Sequence, residues 1–310
     1  TCRYLALASV ACFVGFYGVS SFWSILALML VANFIYPTLL PLSEALAARM
    51  MLQVKLDYGR VRLWGSAAFI LGSMVVGALV KHSGPDWVLH TMIIGLLALI
   101  LCSWLPMVPA PQDASASGHK VGFWPLLRNK PFLLFLLVVS LLQGSHAAYY
   151  GFSALYWEQH GYATNVIGYL WASGVVAEIV MFAVSKRLLR GLSYQQMFLI
   201  GAVGCVIRWS ILASTTGLSW LVVAQLLHAV TFCVSHLAAV RYMTQQMPSD
   251  QLIPAQTLYA ALPTGMFTAV LTILSGVVYQ HAGGMVFWGM AALVLPVFFL
   301  RVPTSRLQSN

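Results

Sequence analysis

A succession of apolar runs, each close to the ~20 residues that a helix needs to span a bilayer, governs what this chain can become. Ten transmembrane helices are expected in all. Four of them, Tyr4 to Ser20, Phe22 to Leu46, Arg60 to Val80 and Trp87 to Met107, precede a polar connector, and six run from Pro131 to Arg301 after it. Composition agrees: charged residues are only 7%, apolar residues 60%, and mean hydropathy is +0.85, values that no ordinary soluble globular chain approaches. The expected fold class is therefore an all-α polytopic membrane protein.

The net charge of +9 would raise the question of nucleic acid in a soluble domain, but here it is topological. With a cytoplasmic N-terminus, Lys and Arg cluster on the inner side, from Arg3 through Arg49, Lys55, Arg60, Lys120, Arg128 and Lys130 to Lys186, Arg187, Arg190, Arg241, Arg301 and Arg306. Only Lys81 falls outside, while Arg62 and Arg208 lie within or at the edge of spans, a strong positive-inside bias. Both visible termini are thus expected in the cytoplasm of a bacterial inner-membrane protein. The Pro- and Ser-containing interval 109–130 is expected as a cytoplasmic linker between an N-terminal bundle, 1–108, and a C-terminal six-helix bundle, 131–303, with a tail at 304–310. Four spans before the linker and six after it, in a chain beginning at Thr1, lead to the expectation of an N-terminally truncated protein. The five cysteines are scattered singly, without metal-ligand spacing, so no disulfide frame, metal or cofactor is expected.

Charged and polar residues inside apolar spans are functional candidates by default because hydrocarbon disfavours them. Glu44 and Arg62 are equidistant from Gln53 across a basic hairpin, so antiparallel helices would set them at similar depth as an ion pair; snorkelling to the boundary is the alternative. Glu178 lies deep in its span with no charge nearer than Lys186, and low dielectric disfavours the charged form of a carboxyl, which suits proton loading. A static salt bridge to Arg208 is the competing possibility. Arg208 suits a monocarboxylate because its guanidinium takes both carboxylate oxygens. Gln225, His228 and His236 share one broad helix face. Gln143, His146, Tyr149 and Tyr150 form a second stripe, equally readable as interhelical hydrogen bonding. Trp171 is the aromatic cavity candidate, whereas Trp64 and Trp157, near span ends, are expected in the interfacial belt.

The run from Asp57 to Ser66, DYGRVRLWGS, resembles the YGxxRxWGS signature of the sugar, nucleoside and phenylpropionate branch of the major facilitator superfamily. The stretches LLQGSHAAYYGFSALYW at 141–157, GYLWASGVVAEI at 168–179 and the run from His228 to Tyr242 are similar to the same branch, so the likeness covers the whole chain from what would be the family's third span. The resemblance implies two parallel helical halves, alternating access and proton symport, with the first two helices absent. Glu44 and Arg62, and likewise Glu178, Arg208 and His228, match polar positions of lactose permease. Thr231 stands where that protein has its proton-coupling carboxylate, which departs from the lactose pattern.

The expected function is import of a small aromatic carboxylate, 3-phenylpropionate above others, with a proton. Arg62, Arg208, Glu44, His146, Tyr150, Trp171 and Gln225 are the candidate substrate contacts, and Glu178, Glu44 and His228 the candidate proton carriers. An oligosaccharide or nucleoside symporter, a non-transporting sensor and an inactive truncated chain are the alternatives. No enzyme is expected, since no HExxH, GxSxG or paired carboxylate motif falls in a span. The chain is expected not to transport by itself, and its partners are substrate, proton and membrane lipid rather than nucleic acid.

Overall fold

A computed structural model describes residues 2–39, 43, 58–105, 122–248 and 251–303. The chain divides into two compact units, Thr1–Ala116 and Ser117–Asn310. Every element described is helical, in keeping with a bilayer that demands internal satisfaction of each backbone polar group.

In the first unit, α1 (Cys2–Gly15), α2 (Phe22–Ile35), α3 (Tyr58–Ser83) and α4 (Trp87–Trp104) are described. Helix α2 starts at Ser21, whose hydroxyl accepts from the Ser24 N–H at 3.2 Å as an N-cap. It gives way to a 3-10 turn over Tyr36–Thr38 where Pro37 enters. Helix α1 packs on α2 and α4 through a small core of Ala6, Phe13, Leu39, Leu96 and Ile100. Large apolar side chains such as Trp23 and Phe34 face outward, the pattern of a lipid-facing surface.

The second unit is built around α5 (Lys130–Gly144) and α6 (Ala147–Gln159), one apolar run that is mostly buried. Around it stand α7 (Thr164–Leu188) and α8 (Tyr194–Ser214). Next comes an irregular span of α9 (Leu218–Leu226), a π-helical turn over Ala229–Val234 and α10 (Ser235–Gln246). The last run comprises α11 (Leu252–Tyr259), a second π turn over Ala260–Phe267 that contains Pro263, α12 (Thr268–Ala282) and α13 (Val286–Val294). The core centres on Phe135, stacked on Tyr242 at 4.3 Å, with Trp157, Phe198, Trp209 and Phe287 fully buried.

The expectation of ten transmembrane helices is corrected here: among the described residues, six helices are long and apolar enough to cross a membrane. At the N-terminus the described apolar helices are Arg3–Gly18, Phe22–Thr38, in which Pro37 enters a 3-10 turn, and Ala68–Val80 within the longer α3. The two spans expected from Leu252 to Arg301 instead form one helical run, Leu252–Phe298, interrupted at Gly283, where φ is +53°. Trp157 is corrected as well. It is buried in the core rather than interfacial, whereas Trp64 is 79% exposed.

One close approach positions the site. A Cβ on Gly204 of α8 would sit 2.9 Å from Val230 Cγ1 and 3.4 Å from Thr231 Cγ2, and one on Gly201 would overlap Ser235 Oγ. Gly204 lets α8 press against the first π turn and Gly201 against the start of α10, and Arg208, one turn beyond Gly204, is carried to that turn.

Candidate functional site

Arg208 is fully buried and organises the polar cluster of the second unit. Its Nη1 donates to His228 Nδ1 at 2.7 Å and to Thr231 Oγ1 at 3.1 Å. Its Nη2 donates to Gln225 Oε1 at 3.3 Å. The guanidinium lies over the Tyr149 ring at 4.3 Å and over the Trp209 ring at 4.7 Å, so aromatic faces supply cation–π attraction on a desolvated charge. Because an arginine only donates, His228 Nδ1 is an acceptor and the imidazole carries its proton on Nε2. That nitrogen faces Glu178 Oε1 at 2.7 Å. The negative charge of Glu178 thereby reaches the guanidinium through a neutral imidazole, offsetting part of the cost of burying it.

Gln225 Oε1 also accepts from the Tyr149 hydroxyl at 2.9 Å, and Thr231 Oγ1 meets His146 Nε2 at 3.0 Å. Trp209 Nε1 donates to Ser145 Oγ at 3.1 Å. Next to these polar atoms the rings of Tyr149 and Trp171 lie 4.6 Å apart, and Tyr150 stacks on Trp171 at 6.2 Å and on His146 at 5.8 Å. Helix α7 passes close by at Gly174, where a Cβ would lie 3.4 Å from Gln225 Oε1.

The candidates on 141–236 therefore sort themselves clearly. Glu178, Arg208, His228, Gln225, His146, Tyr150 and Trp171 meet in one cluster. His236 instead faces the Tyr259 hydroxyl at 2.9 Å. Glu44 lies outside the described residues. Arg62 falls within α3, and its side chain is outside the description. Sequence reasoning left Tyr149 and Trp209 out of the binding set. The signal for both was present: Tyr149 is three residues after His146, one turn along the same face, and Trp209 adjoins the buried arginine. Thr231 was noticed only as a missing carboxylate, yet it joins the arginine to a second histidine. Among the described residues no group of three metal-ligating side chains occurs.

Residues 2–290 match the family described as "MFS_1 like family". A protein of Escherichia coli (strain K12) named "Probable 3-phenylpropionic acid transporter" is 42% identical over 301 residues, covering 96% of this chain and 79% of that protein. The chain belongs to the MFS_1 like family. It is a polytopic membrane transporter and not an enzyme. Two further relatives are more distant. "Uncharacterized transporter YwbF" of Bacillus subtilis (strain 168) is 24% identical, over 79% of this chain and 61% of its own length. "Maltose permease" of Geobacillus stearothermophilus is 25% identical, over 83% and 64%. The crystal structure of the nucleoside transporter NupG aligns with a TM-score of 0.80 at 15% identity, covering 96% of this chain and 81% of that one. At that identity the likeness speaks for the fold alone.

Proposed function

We propose that this transporter imports a small aromatic monocarboxylate, 3-phenylpropionate or a close analogue, together with a proton. The observation that carries the reading is a buried guanidinium with unmatched donors set against aromatic rings. Among the described residues, Arg208 Nε and Gln225 Nε2 are buried without a hydrogen-bond partner, and an acceptor-only carboxylate is the group that satisfies such donors. The 3.3 Å contact between Nη2 and the neutral Gln225 is the one a carboxylate would replace, since charge-assisted hydrogen bonds are shorter and roughly twice as strong. Tyr150, 44% exposed, and the half-buried Trp171 offer faces for the ring of the substrate. A proton accompanies the anion, with Glu178 and His228 as part of the charge balance. The protein sits in the bacterial inner membrane with Thr1 and Asn310 on the cytoplasmic side, as the positive-inside pattern of its loops supports.

The name of the Escherichia coli relative supports the substrate, and the aromatic lining argues against a sugar, whose hydroxyls need more hydrogen-bonding side chains than the cluster has to spare. The test is uptake of radiolabelled 3-phenylpropionate by cells producing the full-length protein, with and without a protonophore, beside an Arg208→Lys variant. Protonophore-sensitive accumulation is expected, falling at least tenfold in the variant, with 3-phenylpropanol failing to compete. Uptake of maltose or a nucleoside without uptake of the aromatic acid would overturn the reading.

A further inference from the structure

The two histidines beside Arg208 differ in what they can still accept. His228 has both ring nitrogens committed, Nδ1 to the guanidinium and Nε2 to Glu178. Protonating Nδ1 would break a 2.7 Å hydrogen bond and set an imidazolium against a guanidinium. His146 is arranged differently. Its Nδ1 lies 3.1 Å from Leu142 O and 3.2 Å from Gln143 O, and carbonyl oxygens only accept, so Nδ1 bears the hydrogen. Its Nε2 therefore keeps the lone pair and accepts from the Thr231 hydroxyl at 3.0 Å. That hydroxyl has a second acceptor within reach, His228 O at 3.3 Å.

We propose that His146, switched by the Thr231 hydroxyl, is the site that takes up the transported proton. The proposal rests on the proton-symport reading above and adds the residue that executes it. When the Thr231 O–H turns from Nε2 to His228 O, its oxygen presents a lone pair to His146 while still accepting from Arg208. A hydronium ion from solvent then gives up its proton, one O–H bond breaking to leave water as one N–H bond forms at Nε2, which donates to Thr231 Oγ1. No other covalent bond in the chain changes, and His146 Nε2, Thr231 Oγ1 and Arg208 Nη1 keep one another as partners.

Both residues stand at helix irregularities. His146 occupies the break between α5 and α6, where the interrupted backbone leaves carbonyls for its Nδ1, and Thr231 lies in the π turn over Ala229–Val234. Broken and π-bulged helices at membrane depth recur at ion and substrate sites. Among the described residues, the titratable and charged groups around His146 are His228 from the irregular span with Glu178 of α7 behind it, Arg208 of α8 reached through Thr231, and Tyr150 from its own run, with Cys205 of α8 and Tyr149 one contact further out, on Ser145 and Gln225. From the α11 run, Tyr259 is turned to His236.

Charge balance supplies the coupling. Arg208 and Glu178 offset each other, so a proton on His146 leaves the buried cluster with one uncompensated positive charge, and a monocarboxylate cancels it. Uncompensated buried charge is costly, so each ligand favours the other, reciprocally. Tyr150 stacks over the imidazole and is itself partly exposed, so rotation of this ring would admit the proton.

The test uses the full-length transporter in energised membrane vesicles, comparing wild type, His146→Gln and Thr231→Val at matched abundance. Three signals are read: gradient-driven accumulation of labelled 3-phenylpropionate, equilibrium exchange, and alkalinisation of an unbuffered medium on adding substrate. We expect both variants to lower the ratio of accumulation to exchange at least tenfold and to abolish alkalinisation. Alkalinisation at the wild-type level in His146→Gln would overturn the proposal, as would a parallel loss of exchange and accumulation in both variants. A wild type that neither alkalinises the medium nor loses accumulation with a protonophore would overturn the symport reading itself and this inference with it.

Discussion

Adding a single methyl group at Gly204 separates close helix packing from function. In Gly204→Ala the new Cβ would lie 2.9 Å from Val230 Cγ1, whereas carbon atoms normally rest about 3.5–4.0 Å apart. Valine is stiff at χ1 in a helix, so the turn must retreat by roughly 0.6–1 Å to restore normal contact. Transmitted to Thr231, the next residue, this opens the 3.1 Å bond from Arg208 to about 3.7–4.1 Å, beyond hydrogen-bonding distance. A bond of this charge-assisted kind is worth about 1.5–3 kcal/mol, which corresponds to roughly 10- to 150-fold in transport efficiency. Folding should survive. The gain of about 1 kcal/mol in helix propensity from glycine to alanine offsets much of an overpacking cost of about 1–3 kcal/mol. The assay is initial-rate uptake at matched membrane abundance for Gly204→Ala, Val230→Ala and the double variant. Because Val230→Ala removes the obstructing Cγ1, the double variant should recover most of the lost rate. Wild-type uptake by Gly204→Ala, or a loss that Val230→Ala does not relieve, would refute the reasoning.

Trp171→Ala should raise the apparent KM for the aromatic acid about tenfold, in line with ~0.5–1.5 kcal/mol per aromatic pair beyond area burial, with Trp171→Phe recovering part of it in concentration-dependent uptake. Ser193 caps α8 in a reciprocal box with Gln196, so Ser193→Ala should cost about 0.5–2 kcal/mol, read as a lower melting temperature in detergent with the KM unchanged. Gly191 precedes that cap with φ +83°, a conformation that costs other residues about 1–2 kcal/mol. Gly191→Val should therefore lower the melting temperature too, and Gly191→Asn should lower it less.

The membrane class, the all-helical fold and most members of the polar cluster were legible in the sequence, because hydrocarbon makes both apolar length and any interrupting charge conspicuous. Glu178, Arg208 and His228 stand out by that rule alone. Their pairing does not, since nothing in the spacing distinguishes Glu178 touching Arg208 directly from Glu178 reaching it through His228. The number of long spans was misjudged for a related reason. Hydropathy measures the length of an apolar run, not whether the chain from Leu252 to Phe298 runs on as one helical segment.

What the sequence determined by itself is the solvent this chain lives in and the short set of residues too polar to be there by chance, both consequences of transfer energies that each residue carries locally. Tertiary structure decided the rest. His146 is buried and meets Thr231 Oγ1 at 3.0 Å, and Trp157 is core rather than interface. The approach of α8 to the π turn and the start of α10, through Gly204 and Gly201, determines which donor meets which acceptor. Hydrogen bonds join only groups about 3 Å apart, and that proximity is set by packing between segments distant in the chain.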